Sequence, residues 1–127
     1  MLGPMSVGQW RVLLIPVSGP SRVVEISNTV EGLEQLVGGG VETYTEIGIE
    51  GGRALKFWRD DAGRAKDLPI NAAALIAQTY AGEVRGRVVV TGGGRADGET
   101  HSLDEDELSL LAALEVGRLQ AKLRRRP

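Results

Sequence analysis

The sequence predicts an α+β fold in which a small mixed or antiparallel sheet of about five strands carries two short helices and a long C-terminal helix. Three observations predict this class. Strand-like runs come in pairs separated by turns, two helical stretches end at glycine, and the last segment keeps a helical pattern over most of its length. The expected element order is β-β-α-β-β-α-β-α.

Two pairs of strand-like runs predict two hairpins. Residues 10–16 are almost continuously apolar, which is typical of a central strand covered on both faces, and a second strand is expected over 22–26. Residues 41–47 alternate in polarity and are rich in Thr and Tyr, and residues 53–59 alternate in the same way. Turn-forming residues separate the two members of each pair.

Two short helices are expected between these strands. Asn28 is a suitable N-cap and Glu31 completes a capping-box pattern, so a first helix is predicted over 29–37 and ends at the glycines 38–40. An Ala-rich stretch predicts a second helix over 71–80.

The end of the chain predicts a strand, a loop and a long helix. The apolar run 84–91 indicates the fifth strand, and the Gly-rich residues 92–98 indicate a flexible loop. The last helix is expected to start after Ser102 or Asp104, and its acidic start and basic end both suit the helix dipole.

The 127 residues suit one domain. We expect a core over 10–98, a C-terminal amphipathic helix with a basic tail over 99–127, and a flexible N-terminus over 1–9. Residues 1–4 resemble a vector-derived segment, with Met5 as the natural start. No secretory signal or membrane span is predicted, and the absence of cysteine suits a reducing cytoplasm.

Composition excludes several kinds of site. With no cysteine, the chain has no disulfide scaffold, thiolate zinc site or cysteine nucleophile. His101 is its one histidine and is expected to be an exposed loop residue. Turn and dipole roles account for the acidic pair 60–61 and the acidic run 104–107. We therefore predict no catalytic residue, metal ion or cofactor.

A small-molecule or nucleotide binder, or a hydrolase, is one alternative. Both glycine runs lack the Lys-Ser/Thr pair of a P-loop, but the second follows a strand and could close over a ligand. Asn71 is either part of such a site or the N-cap of the second helix. The candidate ligand-binding residues are Asn71, Gly92, Gly93, Gly94 and Arg95.

Nucleic-acid binding is a second alternative. Basic residues beside an aromatic side chain suit phosphate contact and base stacking, although strand alternation places Lys56 and Trp58 on the face opposite Arg53 and Arg59. A net charge of −2 provides no global attraction to nucleic acid. The candidate residues are Arg53, Lys56, Trp58, Arg59, Arg85, Arg87, Arg124, Arg125 and Arg126.

The C-terminal helix carries more apolar surface than packing on one sheet requires. We expect it to contact a partner, most simply a second copy in a homodimer or else another protein, while docking on its own sheet stays open. Leu110 and Leu114 form a second apolar edge. The candidate interface residues are Leu108, Leu111, Ala112, Val116, Leu119 and Leu123.

Four stretches carry a family resemblance: "RVLLIPVSGPSRVVEISNTVEGLEQLVGG", "DDAGRAKDLPINAAA", "GRVVVTGG" and "SLDEDELSLL". In this order they resemble the domain of unknown function numbered 3846, which occurs largely in bacteriophages, plasmids and other mobile elements of bacteria. The resemblance implies an accessory protein of a mobile element, expressed in a bacterial host, with no established activity. We therefore expect a non-enzymatic binding module that acts on a host or phage macromolecule.

Overall fold

A computed structural model describes residues 8–74, 83–94 and 98–124, and it describes residues 115–124 by their backbone alone. Within these residues the fold is α+β: one five-stranded antiparallel sheet with a helix on each face. The elements are β1 Gln9–Ile15, β2 Arg22–Ser27, α1 Val30–Val37, β3 Val41–Gly48, β4 Arg53–Asp60, β5 Val88–Gly94 and α2 Glu105–Arg124.

The sheet has the strand order β2-β1-β5-β4-β3. Both predicted hairpins are present, because β1 pairs with β2 and β3 pairs with β4. The fifth strand enters between the hairpins and pairs with β1 on one side and β4 on the other. It is therefore the central strand of the sheet.

The central strand separates two apolar cores. Val88, Val89 and Val90 are fully buried. Val89 belongs to the core under α1, whereas Val88 and Val90 belong to the core that α2 and the segment before β5 cover. A strand buried on both faces is expected to be continuously apolar, as these three valines are. β1 lies beside it and contributes side chains to both cores.

The cap of α1 differs from the sequence-based expectation. Thr29, not Asn28, is the N-cap, and its hydroxyl accepts a hydrogen bond from the N–H of Gly32 at 3.0 Å. The helix ends at Gly38, whose φ of 98° lies in the left-handed region that glycine adopts without strain. Asn and Thr are both common N-caps, and their adjacency made the sequence ambiguous.

The boundaries of the fifth strand were also predicted wrongly. It begins at Val88 and continues to Gly94, so the glycines 92–94 form strand and not loop. The N–H of Gly92 donates to the main-chain oxygen of His101 at 2.8 Å, and a Cβ there would lie 3.1 Å from that oxygen. Glycine suits this position because neighbouring backbone approaches closely, although glycine is usually unfavourable inside a strand.

The predicted second helix lies mostly outside the described residues. Its first residues, 71–74, form a turn in which the N–H of Ala74 donates to Oδ1 of Asn71 at 3.2 Å. Residues 84–86, expected to begin the fifth strand, instead bridge to the preceding segment through Ile70 and Arg85. These residues cover the α2 side of the sheet.

Candidate functional site

Two carboxyl groups cap the start of α2 reciprocally. The N–H of Glu107 donates to Oδ1 of Asp104 at 2.8 Å, and the N–H of Asp104 donates to Oε1 of Glu107 at 3.0 Å. Arg53 on β4 donates to Oδ2 of Asp104 at 2.8 Å. Burial alone would raise the pKa of Asp104, but the hydrogen bond from Glu107 and the charge of Arg53 outweigh it and hold this pKa below its usual value.

One side of the first turns of α2 packs on the chain's own core. Leu111 is 6% exposed and clusters with Leu103, and Leu108 packs partly buried against the same core. Leu110 and Leu114, which are 39% and 40% exposed, lie one helical turn apart. We call these two residues the leucine strip. The predicted interface residues Leu108 and Leu111 thus contact the chain's own sheet.

A charged cleft of about 330 Å³ lies where β4 ends. It is formed by the paired ends of β3 and β4, the turn after β4, and the residues that precede β5. We call it the arginine cleft. Its lining residues are Glu42, Arg59, Asp60, Asp61, Gly63, Arg64, Glu83 and Arg85.

The three arginines of the arginine cleft converge on Glu83. Nε of Arg85 lies 3.1 Å from Oε2 of Glu83, and Nη2 of Arg64 lies 3.7 Å from the same oxygen. Nη1 of Arg59 donates to the main-chain oxygen of Glu83 at 3.3 Å. The carboxylate of Glu83 is therefore hydrogen-bonded to Arg85 and approached at a longer distance by Arg64 from another segment.

A buried carboxylate fixes the turn that forms the floor of the cleft. Asp60 is 3% exposed; its Oδ1 accepts from the N–H of Ala62 at 2.8 Å and its Oδ2 from Nζ of Lys66 at 2.8 Å. Burial alone would raise the pKa of Asp60. The hydrogen bonds from Lys66 and Ala62, together with the charge of Lys66, outweigh burial and hold the pKa below its usual value.

Among the described residues, His, Cys, Asp and Glu side chains form no group that could hold a metal ion. No helix in this part of the chain has both the length and the apolar character needed to cross a membrane.

Comparison with models of known protein families identifies the family of this chain. A family model described as a domain of unknown function, DUF3846, matches residues 10–115. The chain belongs to the DUF3846 family. The matched region contains almost all of the sheet, the whole of α1 and the capped, docked first half of α2. No curated protein and no solved structure matches this DUF3846 chain.

The residues predicted as a nucleic-acid surface are spread over the DUF3846 fold. Arg53 and Arg59 stand at opposite ends of β4, about 20 Å apart at the rise of an extended strand. Arg53 pairs with Asp104, and Arg59 pairs with Glu42 at 3.0 Å. Of the predicted set, the fold brings Arg59 and Arg85 together in the arginine cleft.

The other predicted nucleic-acid residues on β4 and just before β5 make internal hydrogen bonds. Trp58 lies in the core under α1, and its Nε1 donates to Oγ1 of Thr91 at 2.9 Å. Arg87 donates to the main-chain oxygen of Leu36 at 3.3 Å. Nζ of Lys56 donates to a main-chain oxygen and a threonine hydroxyl, both at 3.3 Å.

For some predicted site residues, the structure does not describe the side chain. Arg95 lies outside the described residues, as do the last two arginines of the basic tail. The predicted residues of this group are Arg95, Val116, Leu119, Leu123, Arg124, Arg125 and Arg126.

The predicted ligand-binding residues that are described lie inside the domain. Asn71 is fully buried, and its Nδ2 donates to the main-chain oxygens of Ile15 and Gly86, each at 2.9 Å. Gly92, Gly93 and Gly94 pair with β4 as part of the sheet. His101 is partly buried rather than exposed, because its backbone pairs with Gly92.

Sequence reasoning missed the arginine cleft. Glu42, Arg64 and Glu83 had no role in any predicted site, and they are far apart along the chain. The alternation of bases and acids in "RDDAGRAKD" is the one local signal, and it is equally typical of a solvated turn. The sheet pairing that joins β3 to β4 brings this turn beside Glu42.

Proposed function

We propose that this DUF3846 protein is a non-enzymatic binding module of a bacteriophage or other mobile element. In this proposal it works in the host cytoplasm, where it acts on a host or phage macromolecule. It does so as a homodimer that assembles through α2. The observation that supports this proposal is the leucine strip: Leu110 and Leu114 are about two-fifths exposed, although the neighbouring Leu111 is docked. Adjacent exposed leucines favour a protein partner because burying them releases apolar surface from water.

The charge pattern of α2 favours a second copy in antiparallel orientation. The first turn of the helix contains Glu105 and Asp106, whereas basic residues lie in its second half. Asp106 and Arg118 are equally far in sequence from the midpoint between Leu110 and Leu114. An antiparallel pair centred on the leucine strip therefore places each acidic end against a basic end, and a parallel pair places like charges together.

The test of this proposal is the mass of the protein in solution. We expect light scattering coupled to size exclusion to give a dimer for the native chain and a monomer for the double variant Leu110→Ser/Leu114→Ser. Val23→Ser is the matched control, because Val23 is 44% exposed and lies on β2, outside the helix. It should leave the dimer intact. A native chain that is monomeric at every concentration, or a double variant that stays dimeric, would overturn the proposal.

Orientation can be tested cleanly because the chain contains no cysteine. The two variants Asp106→Cys and Arg118→Cys are mixed and oxidised. We expect the disulfide between one chain of each variant to form in preference to a disulfide between two chains of the same variant. A preference for disulfides between two chains of the same variant would show that the two α2 helices are parallel. That result would contradict the orientation inferred from the charges of α2, but it would still be consistent with a dimer. Leucine-strip substitutions in both single-cysteine chains should abolish cross-linking.

A further inference from the structure

We propose that the arginine cleft is a binding site for the phosphoryl group of a small molecule, and that the Glu83 carboxylate occupies the phosphoryl position in the ligand-free protein. Arg85 and Arg64 approach the Glu83 carboxylate, at 3.1 Å and 3.7 Å, and Arg59 donates to the main-chain oxygen of the same residue. A carboxylate that two guanidinium groups approach marks a place where an external oxyanion gains the same two contacts, with Arg59 beside it.

The arrangement suits a phosphoryl group better than a carboxylate. A carboxylate has two oxygens and matches the fork of a single guanidinium group, whereas a phosphate monoester presents three strong acceptor oxygens. Guanidinium groups from three segments can approach these oxygens from different sides. A volume of about 330 Å³ lies at the lower end of the range for small-molecule pockets.

Two of the arginines are positioned independently of the Glu83 carboxylate. Arg59 is held by Oε1 of Glu42 at 3.0 Å and lies over the ring of Tyr44, 5.2 Å from its centroid. Arg85 donates to the main-chain oxygen of Leu68 at 2.9 Å. These contacts keep both guanidinium groups in place when the Glu83 carboxylate swings away, so a ligand meets a partly pre-organised site.

The third arginine has the freedom to close on a ligand. The side chain of Arg64 is 87% exposed, and its contact with Glu83, at 3.7 Å, is longer than a hydrogen bond. It can therefore turn toward a bound phosphoryl group without giving up a strong internal interaction.

The charge balance of the cleft limits the ligand to a small molecule. Its lining contains three arginines and four acids, and Asp60 is compensated by Lys66. Near-neutral charge gives little long-range attraction, so affinity depends on short guanidinium contacts and not on a broad positive field. A polyanion such as nucleic acid gains little from such a cleft.

The test is calorimetric titration with inorganic phosphate, pyrophosphate and a sugar phosphate. Glu83→Gln removes the internal competitor, so we expect it to bind pyrophosphate about fivefold more tightly than the native chain. Glu46→Gln is the matched control, because Glu46 is an exposed acid on β3 that does not line the cleft. It should leave the affinity unchanged. Arg64→Gln in the Glu83→Gln background should weaken binding.

Three outcomes would overturn the site. The first is the absence of saturable binding by Glu83→Gln at millimolar phosphate or pyrophosphate. The second is equal affinity in Glu83→Gln and Glu46→Gln, and the third is undiminished affinity after Arg64→Gln. Stronger binding of sugar phosphate than of inorganic phosphate would assign the ligand to phosphate esters, and the reverse order to the free ion. Arg64 is so exposed that its substitution leaves folding intact.

Discussion

The side-chain amide of Asn71 donates a hydrogen bond to the main-chain oxygen of Ile15, 2.9 Å away and 56 positions distant in the chain. The same nitrogen donates to the main-chain oxygen of Gly86, and Oδ1 accepts from the N–H of Ala74. One buried side chain therefore joins the end of β1, the segment before β5 and the turn that follows residue 70. It satisfies main-chain hydrogen-bonding groups in all three of these segments.

We predict that Asn71→Ala lowers the free energy of unfolding by about 3 kcal/mol, because it leaves buried donors and acceptors without partners. Urea denaturation measures this loss, provided that the slope of the free energy of unfolding against urea concentration is the same in both proteins. Asn28→Ala is the matched control: Asn28 is exposed, so its substitution should change stability by less than about 0.5 kcal/mol. Equal stability of the two variants would contradict the structural role of Asn71.

We predict that Asp104→Ala lowers the free energy of unfolding by about 1–2 kcal/mol, since it removes the N-cap of α2. Asp104→Asn should retain most of this stability, because an amide oxygen still accepts from Glu107 while the charge that pairs with Arg53 is lost. Circular dichroism and urea denaturation of both variants separate the cap from the ion pair. If Asp104→Asn is as unstable as Asp104→Ala, the ion pair and not the cap dominates.

The lowered pKa of Asp60 predicts a specific dependence of stability on pH. Because the pKa is lower in the folded state than in the unfolded chain, the ionised carboxylate stabilises the fold above an unfolded pKa of about 3.9. This contribution is lost as the pH falls through the folded pKa. Asp60→Asn should therefore be less stable than the native chain at neutral pH, with a difference that narrows in acid.

Thermal unfolding of the native chain and Asp60→Asn across the acidic range measures this effect. Asp61→Asn is the control, since Asp61 is the exposed neighbour of Asp60 in the same turn. Its stability should follow the native chain at every pH. A stability gap between the native chain and Asp60→Asn that is constant from neutral pH into acid would mean that Asp60 does not titrate as proposed.

The sequence by itself determined the α+β class, both hairpins, the extent of α1 and the acidic start of α2. These features depend on neighbours close in the chain: alternation defines each strand, and its hairpin partner follows after a short turn. Asp104 was one of two predicted caps for the same reason, since a capping box is complete within four consecutive residues.

The tertiary structure alone decided the position of β5, the strand character of Gly92 to Gly94 and the arginine cleft. β5 pairs with β1, which lies far away in the chain, and no local pattern specifies that register. Neighbouring backbone lies 3.1 Å from a Cβ built at Gly92 and 2.9 Å from one built at Gly94, and only the packed neighbours impose this constraint. Arg59, Arg64 and Glu83 meet because the fold brings the segment before β5 beside the end of β4 and the turn that follows it.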